Sequence, residues 1–343
     1  MAYTTINKSS EHFNTKLYTG NGSTQSITGV GFQPDFLWIK ERSSISSHTA
    51  HDAVRGATKY LTPNTTDVEG TGFVTSFNSD GFTLPVSNLS NQNNETYASW
   101  NWKANGAGSA NTVGSINSTV SVNTTAGFSI VTYTGNGVSG ATVGHGLGVA
   151  PKMIMVKCLN SAHDWAVFHK DLTSNNYFLV LNENNAQASG TTKWQDTDPS
   201  STVFTLGNGG GVNANTQTHV AYCFADVQGF SKMGSYTGNG NADGTFVYTG
   251  FKPAFVMMKA TSVAQSWQMV DNKRDTFNAV DHRLRPNESG AESTSPEWID
   301  FCSNGFKLRN NDVAWNGSGS PYIYMAFAEA PLVGTNGVTA KAR

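Results

Sequence analysis

The chain has 343 residues, of which 35 are Gly and 34 Asn, while Leu occurs only 14 times. Charged residues make up 13%, roughly half the usual share. Scarce helix formers exclude a helical bundle, a coiled coil or a doubly wound α/β enzyme, and 19 Phe, 11 Tyr and 8 Trp argue against disorder.

A net charge of −2 offers no basic surplus for nucleic acid or an anionic membrane. No apolar run approaches the roughly 18 residues of a membrane-spanning helix, so the chain reads as not membrane-embedded. Residues 1–7 lack the basic and apolar regions of a secretory signal. Cys158, Cys223 and Cys302 cannot form a disulfide framework. Cys158 and Cys223 lie in apolar, strand-like runs and read as small buried hydrophobes. These features predict assembly in a reducing cytoplasm.

After an N-terminal segment, 1–12, one pattern runs through the chain three times. Tyr-Thr-Gly-Asn-Gly begins at Tyr18, Tyr133 and Tyr236. Each copy is followed by a proline (Pro34, Pro151, Pro253) and, six residues on, by a lysine (Lys40, Lys157, Lys259). Eight residues past each lysine stand His48, Trp165 and Trp267. A short apolar stretch comes late in each unit, and an aromatic-rich strand closes it at 97–102, 219–224 and 322–327.

The pattern predicts an all-β protein of three tandem homologous β-sandwich domains, of jelly-roll or lectin-like kind, over 13–103, 128–227 and 230–331. On the first closing strand, alternation should turn Ala98, Trp100 and Trp102 to one face and Tyr97, Ser99 and Asn101 to the other. The nearly all-apolar strand between proline and lysine should be covered on both faces. The segment 104–127, with no charged and no aromatic residue, reads as a Gly/Ser/Asn/Thr linker. Its later Val120-Ser121-Val122 could supply an edge strand. The second junction, 225–229, is much shorter, so units two and three should pack closely with unit one more independently placed. Residues 332–343 form a tail.

Several motifs invite chemistry. Gly135-Asn136-Gly137-Val138-Ser139-Gly140 matches a dinucleotide fingerprint, but no helix follows, so a strand-to-strand turn is the better reading. Asn239 to Gly244 resembles the start of a calcium loop, yet Gly250 stands where the bidentate Glu belongs. His48 and His51 point to opposite faces of a strand and have no third ligand. The carboxylate pairs Asp196/Asp198 and Glu297/Asp300 do not recur between units and read as acidic loops.

Two features make better ligand candidates. Asp52 with Arg55 recurs as Asp271 with Arg274, whereas the middle unit has His169 and Leu172 there. The repeated pair reads first as a conformational brace and second as an anion or sugar contact through Arg. Trp165 and Trp267 read first as core and second as platforms for sugar rings. No residue set implies a catalytic centre, a metal or a cofactor.

The ordered motifs resemble a family of tailed-bacteriophage virion proteins abundant among marine phages. The similar stretches are Met1-Ala2-Tyr3-Thr4-Thr5-Ile6-Asn7, Leu17-Tyr18-Thr19-Gly20-Asn21-Gly22, Gly31-Phe32-Gln33-Pro34-Asp35-Phe36-Leu37-Trp38-Ile39-Lys40 and Trp100-Asn101-Trp102-Lys103-Ala104-Asn105-Gly106. Gly146 to Pro151, Gly234 to Gly240 and Gly250 to Phe255 belong with them.

The resemblance implies a structural protein of the virion and does not by itself decide between head and tail; the first expectation is a non-enzymatic tail fibre or appendage contacting the host surface. A capsid decoration or head fibre is the alternative, and a polysaccharide-degrading enzyme a more distant one. Implied partners are other virion proteins, a host surface glycan or protein, and further copies of the chain. Nucleic acid is not among them.

Overall fold

Each Tyr-Thr-Gly-Asn-Gly ends a seven-residue opening strand: Phe13–Thr19, Phe128–Thr134 and Ser231–Thr237. The Gly-Asn-Gly then turns the chain away from the sheet. In the computed structural model, which describes residues 3–334, Gly337 and Thr339, the chain is all-β and its named strands pair antiparallel. No described helix is long and apolar enough to cross a membrane.

Every opening strand lies beside its closing strand (Thr96–Trp102, Thr218–Phe224 or Pro321–Pro331) in one register: Tyr18 faces Tyr97, Tyr133 faces His219, and Tyr236 faces Tyr322. Beyond the closing strand lies the apolar strand, Phe36–Glu41, Met153–Cys158 or Phe251–Ala260. A return strand follows, Thr49–Asp52, Ala166–His169 or Gln268–Asp271. The order opening–closing–apolar–return thus occurs three times. A second sheet faces each of these, built around Gly81–Leu84, Val203–Leu206 and Gly305–Leu308.

The apolar strands are buried on both faces, as their composition requires. In the first, Leu37 and Ile39 join Ile27, Phe82 and Tyr97 between its two sheets. Phe36 and Trp38 turn the other way, with Ala98, Trp100 and Trp102, into a core shared by all three repeats. Phe128, Met153, Tyr222 and Phe224 enter it from the middle repeat, and Phe255, Met257, Met325 and Phe327 from the last. Aromatic contacts cross every boundary: Phe36 stacks on Tyr222 at 4.2 Å, Phe13 on Phe327 at 4.9 Å, and Phe224 meets Phe327 edge-on at 6.1 Å. Apolar burial is the main stabilising term of folding, and here its largest share is common to the repeats.

This overturns the expectation that the first unit stands apart. The segment 104–127 is also more than a tether: Ser109–Asn111 and Ser118–Asn123 are strands, and the latter pairs with the opening strand of the middle repeat, Val120 opposite Val131. The expected strand is therefore present but not at the edge, because Ser109–Asn111 pairs along its outer side. Of the N-terminal segment, Ile6 is buried in the shared core and the Tyr3 hydroxyl donates to the Gly250 carbonyl. The predicted tail lies largely outside the described residues.

Candidate functional site at the junctions between repeats

The repeated residues beyond each lysine meet at three junctions. His48 Nε2 lies 3.0 Å from the Arg285 carbonyl of the last repeat. Trp165 Nε1 donates to the Thr62 carbonyl of the first at 3.2 Å, and Trp267 Nε1 to the Val180 carbonyl of the middle one at 3.0 Å. His48 Nδ1 accepts from Trp38 Nε1 at 2.9 Å, so its proton sits on Nε2 and the ring donates to Arg285. Burial, then the Lys40 charge, pushes the His48 pKa well down and keeps the ring neutral. The three donors run in one rotational sense: first to last, last to middle, middle to first.

A backbone hydrogen bond follows the same circuit. Arg42, Leu159 and Thr261 each stand two residues past the repeated lysine. Their carbonyls accept from the amides of Glu292 (2.8 Å), Glu69 (2.7 Å) and Gln187 (2.8 Å), each in a neighbouring repeat.

The Asp/Arg candidates belong to these junctions. Asp271 and Arg274 pair at 2.6 Å with both side chains fully enclosed, and Asp52 and Arg55 at 2.5 Å are nearly so. Each aspartate also caps the amide of its own arginine. Each arginine reaches a glutamate, Arg55 to Glu69 at 3.1 Å and Arg274 to Glu292 at 3.0 Å. The neighbouring repeat completes the set: Tyr222 donates to Asp52 at 2.7 Å and Trp100 to Asp271 at 3.0 Å. Burial alone would raise Asp271, but the Arg274 charge and the hydrogen bonds outweigh it and hold the carboxyl below its usual range.

In the middle repeat the whole set changes together, to His169, Leu172 and Gln187. Met325, at the position of Trp100 and Tyr222, has no hydrogen to donate, and His169 Nε2 instead lies 3.3 Å from the Tyr324 carbonyl.

Trp165 and Trp267 are each 1% exposed, so neither ring can act as a surface platform. Asp52 and Asp271 are buried too, and Arg274 is closed off from solvent. The first reading of these residues, core and brace, describes their positions; the ligand reading fails for both tryptophans and for Asp271–Arg274. Only Arg55 borders open space. With Glu69, Thr132, Thr134, Thr218 and His219 it lines a cleft of about 450 Å³ between the first and middle repeats. The Arg55 donors are already engaged by Asp52, Glu69, the Ala50 carbonyl and Tyr222. Burial lowers the His219 pKa to about 4, so its ring is neutral at pH 7. This cleft offers hydroxyls rather than an acid–base pair.

Sequence reasoning missed the residues that lock the glycine turns. Asn91, Asn213 and Asn316 are fully buried, and their Oδ1 atoms accept from the amides of Asn21, Asn136 and Asn239 at 2.9–3.0 Å. The motif tyrosines donate to the carbonyl just before each asparagine: Tyr18 to Ser90, Tyr133 to Val212 and Tyr236 to Trp315. Each asparagine lies six residues before Tyr97, His219 or Tyr322, a spacing that could have revealed it. Gly135-Asn136-Gly137 is such a turn. So is Asn239 to Asn241, whose Asn239 Nδ2 donates to the Asp243 carbonyl. Among the described residues no group of three or more His, Cys, Asp or Glu converges as a metal site.

Residues 8–331 match the model of a family described as a domain of unknown function (DUF7483), and the chain belongs to that family. No curated protein and no solved structure matches it.

Proposed function

We propose that this DUF7483 member is a non-enzymatic structural protein of a tailed-bacteriophage virion, serving in a tail fibre or appendage that meets the host surface. One observation carries the structural part of this reading. The repeated acidic, basic and aromatic residues are committed to hydrogen bonds that join the three repeats around one core. Such an arrangement makes a stiff body that holds its outer loops in fixed relation, which suits attachment and load-bearing more than turnover. The sequence resemblance supplies the virion setting. Several copies on one particle would multiply weak contacts with a repetitive host surface.

Cryo-electron microscopy of the virion tests the proposal. Density for this chain at the tail, with loops facing outward, is the expected result. Density spread over the capsid lattice would replace attachment with surface decoration, and absence from the particle would overturn both.

A further inference from the structure

The last repeat carries a second polar cleft, of about 250 Å³, lined by Gln265, Gln268, Arg283, Arg285 and Asp312, with Asn184 of the middle repeat. Internal register shows which residues the two arginines replace. Leu284 bridges to Met269 as Leu61 bridges to Ala50, and Leu179 pairs with Val167. Arg283 and Arg285 therefore stand where the first repeat has Tyr60 and Thr62 and the middle repeat has Phe178 and Val180. The junction bonds agree, since Thr62, Val180 and Arg285 supply the three accepting carbonyls. Each repeat uses only the backbone of this second position for its junction. The two guanidiniums are particular to the last repeat.

Their surroundings differ from those of Arg55 and Arg274. The Arg283 guanidinium lies over the Trp298 ring at 4.2 Å, and its Nε donates to Ser293 Oγ at 2.9 Å. Among the described residues no carboxylate pairs with it. Arg285 is held by Glu288 at 2.7 Å. Burial, then the neighbouring Arg285 charge, lowers the Arg283 pKa, whereas the ion-paired Arg274 is raised. Half-buried and restrained by the Trp298 ring and the Ser293 hydroxyl, Arg283 has both Nη groups lacking a partner among the described residues.

We infer that this cleft binds the carboxylate of an acidic saccharide. A guanidinium fork matches the two oxygens of a carboxylate in a way that a lysine cannot. The amides of Gln265 and Asn184 and the carboxylate of Asp312 supply both donors and acceptors, as ring hydroxyls require. Inorganic phosphate carries more negative charge than a single carboxylate, so Asp312 repels it more strongly, and it brings no ring hydroxyls to the amides. Glu288 and Asp312 balance the two arginine charges, so selection rests on geometry rather than net charge. The cleft is smaller than the pockets of roughly 300–1,000 Å³ that enclose drug-sized ligands, so it engages one sugar ring or the end of a chain. This inference rests on the attachment reading only for where such a sugar would be met. Binding is measured on the isolated chain and is independent of virion position.

The test is calorimetric titration of the full chain with methyl β-glucuronoside, methyl β-glucoside and inorganic phosphate. The glucuronoside should bind, with the glucoside and phosphate roughly tenfold weaker or undetectable. Arg283→Tyr installs the residue of the first repeat, so it should keep the melting temperature while weakening binding about tenfold or more. Arg283→Lys, which keeps the charge without the fork, should lose most of the affinity and covers the case of an unstable tyrosine variant. No binding of the glucuronoside, equal binding of the glucoside or phosphate, or unchanged affinity in the folded variants would overturn the inference.

Discussion

Arg274 is enclosed on every side, its guanidinium shared between Asp271, Glu292 and the Met269 carbonyl. Removing it leaves a buried carboxylate without its cation, and such losses cost about 3–5 kcal/mol. Arg274→Leu should therefore lower the unfolding free energy by about that amount in urea titration. Trp100→Phe removes one donor from the same carboxylate and should cost only about 1–3 kcal/mol. A Trp100→Phe loss as large as that of Arg274→Leu would contradict the ordering. The repeated lysines give a test in pH. Lys40 is buried and its Nζ donates to the Glu41 carbonyl at 2.6 Å. Burial lowers its pKa to about 8, against the Glu41 and Glu292 charges that oppose the shift. Between that value and the unfolded lysine value of about 10.4, the unfolded chain holds the proton that the folded chain has released. Raising the pH through this window therefore favours the fold. Relative to Lys40→Met, the wild type should gain stability from pH 8 to about 10, read as the difference between two urea midpoints. A flat difference would show that the ammonium is solvated.

The turns impose their own limit at the level of the strand. A Cβ on Gly20, Gly135 or Gly238 would stand 2.2–2.4 Å from a backbone oxygen beside the locking asparagine. Alanine at any of the three should destabilise by roughly 2 kcal/mol or more, whereas Gly140→Ala has open space and faces only its positive φ of 85°, about 1 kcal/mol. Thermal melts of the four variants check this order. The strand pattern was legible in the sequence because period-two burial and glycine turns are local. Trp100 and Tyr97 fall on the opposite faces that alternation assigns them, and the strand Phe36–Glu41 is buried on both sides. The asparagine locks were legible too, by their spacing, but Asn is so common in this chain that three more did not stand out. What Trp165 touches was not legible. Its partner, Thr62, lies in another repeat, and the loops that bring Glu69, Gln187 and Glu292 to the junctions differ in length, so no fixed spacing marks them.

For the molecule as a whole, a shared core couples the repeats. Residues 128–227 expressed alone would expose Ile130, Met153, Met155, Tyr222 and Phe224, which the neighbouring repeats now cover. Exposed apolar surface of that kind leads to association. The fragment should fail to give a dispersed NMR spectrum as a monomer, while the full chain should unfold in one transition with coincident fluorescence and circular dichroism. A stable monomeric fragment would show that the core holds together without its partners. The rotational circuit has a consequence for how the chain can change over generations. In a trimer of identical subunits a mutation alters all three contacts at once, and a damaged contact is damaged threefold. Carried on one chain, each contact can change alone. The middle repeat lacks the Asp–Arg–Glu set that the others carry, and the last repeat bears a pair of arginines that the others lack. Linking three copies of one unit end to end thus frees a symmetrical design to specialise one side at a time.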